Sequence, residues 1–140
     1  MENSSQLKHA ALTELIGVFY SVYNELGFGF LEPVYRKALH MALSEKGLKV
    51  EAEMPVPVFF QGVNVGDFRA DIVVSDCILL ELKTAENIII AHEAQLLNYL
   101  RATSLEVGLI LNFGPKAQVR RLLFDNDRKQ VKVHRVGGST

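Results

Sequence analysis

The stretch FRADIVVSDCILLELKTAE, Phe68 to Glu86, constrains the fold more than any other part of the chain. Ile72, Val73 and Val74 lie on one side of a short polar break and Ile78, Leu79 and Leu80 on the other, so the segment reads as two strands of a buried sheet joined by a turn. Three ionisable residues, Asp71, Glu81 and Lys83, interrupt these apolar runs. Charges in such a strand are costly unless paired or ligated, and their presence asks for a chemical reason.

Alternation of side chains along a strand puts Glu81 and Lys83 on one face, with Leu80 and Leu82 on the other. The position of Asp71 depends on the turn. With a three-residue loop of Ser75, Asp76 and Cys77, Val74 pairs with Ile78 and Asp71 stands opposite Glu81, whereas a two-residue loop puts Leu80 there and spoils the pairing. Two facing carboxylates at 4 Å repel by roughly 4 kcal/mol at an effective dielectric of about 20. Lys83 supplies one compensating charge, and a hard divalent ion such as Mg²⁺ or Mn²⁺ would supply the rest and could polarise a phosphoryl oxygen. The plainer reading of the same residues is a structural ion pair between Lys83 and the acids on an exposed edge strand.

The length of 140 residues suits a single domain, and 49% hydrophobic residues suffice for a substantial core. No run of about 18 apolar residues is present and the N-terminus lacks a secretory layout, so a cytoplasmic, non-membrane protein is expected. The single Cys77 reads as a packing residue. Through Pro115 the chain has 8 basic against 14 acidic residues, and from Lys116 onward 7 against 2. This basic end, with Arg120 and Arg121 foremost, is a candidate phosphate contact, or simply a solvated surface.

Periodicity predicts a helix over residues 6–26 ended by Gly27 and Gly29, and a second from about Glu32, with Pro33 suited to the first helical position. Strands are predicted over residues 50–60, 63–74 and 77–83, with Asn64 and Gly66 marking a bulge. A helix over 89–102, a short, wholly apolar run typical of a central strand over 107–113 and a further strand over 119–124 follow. The order implies an α/β domain, a mixed central β-sheet with α-helices packed on it, over residues 1–124, and a weakly ordered basic tail over 125–140. His92 lacks a second histidine four positions on, and His9, His40 and His134 are scattered, so no zinc pattern is present.

On either side of the hairpin, GFLEPVY (Gly29 to Tyr35) and HEAQLLNYL (His92 to Leu100) make the chain resemble the GxxExxY proteins, a branch of the PD-(D/E)XK nuclease-like superfamily. Gly29, Glu32 and Tyr35 are the name-giving residues. Asp71, Glu81 and Lys83 match the superfamily's acidic pair and lysine, Gln95 and Tyr99 match its Gln-x-x-x-Tyr element, and LILNFG resembles its closing strand. Tyr23 stands where a histidine is common, and Phe28 replaces a proline.

The resemblance implies a restriction-endonuclease-like fold and a divalent-metal-dependent nuclease acting on nucleic acid, with DNA favoured. Asp71, Glu81 and the backbone carbonyl of Leu82 would bind Mg²⁺ or Mn²⁺, and Lys83 would orient the attacking water or neutralise developing charge. Glu32 would bind a second metal or hold water, or is merely an acid favoured at a helix start. Gln95 and Tyr99, on one helical face, would reach across to the site. A homodimer is compatible with the small size. The competing reading keeps the fold without the chemistry, as a binding or dimerisation module.

Overall fold

The structure, a computed structural model, describes residues 4–129. His134 and the rest of the basic end beyond Lys129 lie outside the described residues. The elements are α1 (Ser4–Leu26), α2 (Glu32–Glu45), β1 (Val50–Phe60), β2 (Val63–Val74), β3 (Ile78–Lys83), α3 (Ile90–Arg101), β4 (Val107–Phe113) and β5 (Ala117–Leu123), followed by a 3-10 turn (Asn126–Arg128). They form a mixed five-stranded sheet in the order β1-β2-β3-β4-β5, in which only β3 and β4 run parallel. This is the α/β architecture expected from the order of elements.

Each face of the sheet has its own core. Leu80, Leu82, Leu109 and Leu111 pack with Leu15, Phe19 and Leu39 of α1 and α2, while Val73, Leu79 and Ile110 pack with Leu96 and Leu100 of α3. Every residue of β4 is buried, as befits a strand covered on both faces. Pro33 occupies the second rather than the first helical position of α2, since Leu31 is the N-cap and Glu32 opens the helix; no intrahelical N–H is needed at either place.

The α1–α2 loop is tied down by two tyrosines. The fully buried Tyr35 stacks on Phe113 at 4.3 Å, and its hydroxyl donates to the Gly27 carbonyl at 2.6 Å and accepts from the Phe30 N–H at 3.2 Å. Tyr23 directs its hydroxyl at the Gly114 and Pro115 carbonyls, 2.7 and 3.0 Å away. Gly29, with φ of 115°, takes a backbone conformation that residues with a Cβ rarely adopt. These contacts fix the start of α2 at the C-terminal ends of β3 and β4.

The expected bulge is present: pairing shifts at Val58/Phe59, opposite Gly66 and Asn64. Residues 125–129, which the composition places in the tail, have defined contacts. Lys129 donates to the carbonyls of Thr103 and Leu105 at 2.7 and 2.8 Å, and the Asn126 N–H donates to Glu106 Oε2 at 2.7 Å. Among the described residues no helix is long and apolar enough to cross a membrane.

Candidate active site

Three residues, Ser75 to Cys77, close the β2–β3 hairpin, and the pairs Ile72↔Leu80, Val73↔Leu79 and Val74↔Ile78 follow the odd-length register. Extended by one step, that register sets Asp71 opposite Glu81. The pairing ends there, because Asp71 Oδ2 accepts the Leu82 N–H at 2.9 Å in place of a backbone partner. Ala70 and Ile72, two positions apart, belong to different cores, so the regular alternation of β2 is interrupted at Asp71. Across from it on β1, Glu53 has φ of 52° and interrupts the ladder between Ala52 and Met54. The Asp71 carboxylate reaches β3 at this irregularity, where it meets the Leu82 N–H.

Glu81 is 6% exposed, and its Oε1 is buried without a hydrogen-bond partner. Burial, with the nearby Asp71 charge adding to it, pushes its carboxyl up to about 8. Burial also raises Asp71, against the Leu82 amide and the charges of Arg36 and Lys83, which hold it down. An unpartnered buried carboxylate beside a second acid is the donor set a hard cation seeks. Among the described residues no three His, Cys, Asp or Glu side chains are already gathered closely enough to hold an ion. Two carboxylates would need the Leu82 carbonyl and water to complete the set, which suits Mg²⁺. The Leu82 N–H points toward Asp71, and a strand residue directs its carbonyl to the same side as its N–H, so that oxygen lies on the correct edge.

Lys83, on the same face as Glu81, donates to Gln95 Oε1 at 2.9 Å. Among the described residues it forms no ion pair with a carboxylate, so the simple Lys83–acid salt bridge is not what fills this site. Four positions on along α3, Tyr99 stacks on Phe68 with ring centres 3.8 Å apart. Burial raises its phenol, and the Glu81 and Asp71 charges raise it further, which places the ring near both acids. His92 caps α3, its Nδ1 accepting the Ile89 N–H at 3.2 Å, and burial together with the Lys83 charge lowers its affinity for a proton.

Glu32 joins the cluster from α2. Burial and then the Asp71 charge raise its carboxyl, with Lys83 and Arg36 opposing. Arg36, one turn later, lies 3.9 Å from Glu32, 3.4 Å from Glu53 and 3.6 Å from Asp71. Neither Arg36 nor Glu53 stands out in the sequence. The i,i+4 spacing of Glu32 and Arg36 was the readable signal for the first; the second depends on the β1–β2 register across a bulge.

A buried amide secures the segment after Lys83. Asn112 is fully buried, accepts the Ala85 N–H at 2.9 Å and donates to the Ala85 carbonyl at 2.9 Å and to Gln118 Oε1 at 3.0 Å, while Gln118 accepts the Ile88 N–H at 3.1 Å. A Cβ at Gly114 would collide with the Ala85 carbonyl oxygen, so this loop and the end of β4 are in close contact. Since Asn112 also pairs with Lys83 in the sheet, the clamp sits directly against the lysine. Replacing Asn112 by alanine leaves several buried groups unpaired and is expected to cost about 2–4 kcal/mol of stability, measured by urea unfolding. A change below about 0.5 kcal/mol would mean that the loop is held by other contacts.

Arg120 and Arg121 are consecutive on the edge strand β5 and so project from opposite faces. Arg120 forms an ion pair with Glu93 of α3 at 3.5 Å, on the face of the acidic cluster, and Arg121 points away from it. They do not form a single patch.

Residues 9–122 match the PD-(D/E)XK nuclease superfamily. A solved structure, the crystal structure of SSO0001, superposes with a TM-score of 0.53 at 21% identity, covering 66% of this chain and 50% of that one. This chain thus spans about half the length of that structure's chain, and at this identity the likeness bears on fold alone. No curated protein matches. The family match runs from α1 through most of β5 and takes in every element that brings the acids and lysine together: the chain belongs to the PD-(D/E)XK nuclease superfamily.

Proposed function

We propose that this protein is a divalent-metal-dependent nuclease, with DNA as the favoured substrate, and that within its superfamily it falls in the GxxExxY branch. The observation that carries this reading is the buried, unpartnered Glu81 Oε1 beside a second carboxylate, with a lysine on the same strand face. A structural role alone leaves that oxygen unexplained, because an unsatisfied buried acceptor destabilises the fold.

Asp71, Glu81 and the Leu82 carbonyl are the groups that would hold Mg²⁺ or Mn²⁺, and the ion would supply Lewis-acid polarisation of the scissile phosphate. Lys83, fixed by Gln95, offers a positive donor to the attacking water or to the charge that builds on the phosphoryl oxygens. Tyr99 walls the site and, through its stack on Phe68, keeps α3 in register with the β1–β2 arm. Glu32, whose carboxyl lies beside that of Asp71, can hold a second water or ion. Arg120 is the better placed of the two arginines for a flanking phosphate, and Arg121 can serve only a strand that wraps around the sheet edge.

A cytoplasmic setting and a homodimer belong to the same proposal. The exposed apolar tip of the β1–β2 arm, with Phe59, Phe60, Val63 and Val65, offers a surface for a second copy. The test of the function is cleavage of single- and double-stranded DNA and of RNA, expected with Mg²⁺ or Mn²⁺ and absent in chelator. A pure, folded protein that cuts none of these forms in either metal contradicts the proposal. It would favour the alternative, a nuclease fold retained as a binding module.

A further inference from the structure

Glu32, Glu53 and Asp71 reach one guanidinium from three different elements, yet none of the three contacts is short. The separations of 3.4 to 3.9 Å exceed the roughly 2.7–2.9 Å of a charge-assisted hydrogen bond, so Arg36 is held mainly by charge. Its side chain is 20% exposed, enough to leave toward solvent by rotamer change. Lys83 faces Gln95 instead, which leaves Arg36 as the cation closest to Asp71 among the described residues. Arg36 is thus placed where a charged ion and Asp71 would otherwise meet.

We propose that Arg36 is the resident counter-ion of the metal-free acidic cluster and exchanges with a divalent ion: metal entry at Asp71 displaces the guanidinium, which retreats to Glu32 and Glu53. This inference rests on the metal-dependent reading of the site. It assigns Arg36 a positioning role, holding the carboxylates together before the metal arrives and setting how tightly the metal then binds. A guanidinium and a divalent ion cannot share Asp71 without mutual repulsion, so the arginine must weaken metal affinity.

The experiment is a calorimetric titration of Mn²⁺ into wild type, Arg36→Gln, Arg36→Lys and Asp71→Ala, with folding checked by circular dichroism. Arg36→Gln is expected to bind Mn²⁺ about tenfold more tightly than wild type, the effect of removing one competing unit charge, while Arg36→Lys stays close to wild type. In a second measurement, Mn²⁺ should raise the melting temperature of Arg36→Gln more than that of wild type. Equal or weaker affinity in Arg36→Gln, with binding still abolished by Asp71→Ala, overturns the exchange and leaves the metal site standing. Absence of binding in every variant overturns both.

Discussion

Replacing Lys83 by alanine is expected to lower metal-dependent cleavage by roughly two to three orders of magnitude while leaving the fold intact. The amine is half-buried at the end of β3, beside Glu81 on the strand face that the acids share. Its hydrogen bond to Gln95 fixes the direction of the ammonium without neutralising it. The side chain is therefore a preorganised positive donor, and such groups act most strongly where charge develops in a water-poor site. Arginine at this position should rescue little, because the longer planar fork cannot occupy the same point. Removing Gln95 should cost less than removing Lys83, since the charge stays and only its aim is lost. Rates of single-turnover cleavage compare the three variants, and equal rates in wild type and Lys83→Ala would trace the activity to a contaminant.

The second large effect concerns stability. In chelator, wild-type protein should lose stability as pH rises from about 4.5 toward 8, and Glu81→Gln should remove most of that loss. The sign follows from proton binding. The unfolded carboxyl ionises near its ordinary value of 4.5, whereas the buried one keeps its proton to about 8. Between these values the unfolded chain binds fewer protons, so rising pH favours unfolding, and the effect saturates above the folded value. Each pH unit is worth up to about 1.4 kcal/mol, giving a total of roughly 4–5 kcal/mol from this residue. Asp71 and Glu32, also raised, act in the same direction.

Glu81→Gln should therefore be more stable than wild type at pH 8 to 9 and unable to hold the metal, a gain in stability at the expense of function. Urea unfolding across this pH range measures both slopes. If the variant is less stable than wild type at pH 9, Glu81 is held by contacts that favour its charged form. The same proton enters metal binding: below pH 8 the wild type must release it, so calorimetric heats should change with the ionisation enthalpy of the buffer.

The two strands of the hairpin were legible from their apolar runs, but the loop length stayed open until the structure showed the three-residue loop, whose register extends to Asp71 opposite Glu81. That Glu81 shares a face with Lys83, and Gln95 with Tyr99, followed from the periods of strand and helix; their assignment to one site came from the family resemblance. The break in alternation at Asp71 was not legible, because it lies opposite the point where β1 departs from regular pairing at Glu53, a tertiary effect with no mark in the local sequence. Asn112 did leave a mark, a single amide in the otherwise apolar VGLILNF, and buried amides are rarely idle. The sequence named Arg120 and Arg121 as candidate phosphate contacts without separating them; strand geometry sends the two neighbours to opposite faces. The charges on 125–129 suggested solvent, but Lys129 and Asn126 instead satisfy carbonyl and carboxylate oxygens at the α3–β4 connection.

The central claim, that Asp71 and Glu81 hold a divalent ion, is tested most directly by anomalous diffraction from crystals of the protein grown with millimolar Mn²⁺. A peak is expected within coordination distance of both carboxylates and near the Leu82 carbonyl, and absent in crystals of Asp71→Ala. Full-occupancy Mn²⁺ bound elsewhere on the chain, with nothing between these carboxylates, would contradict it.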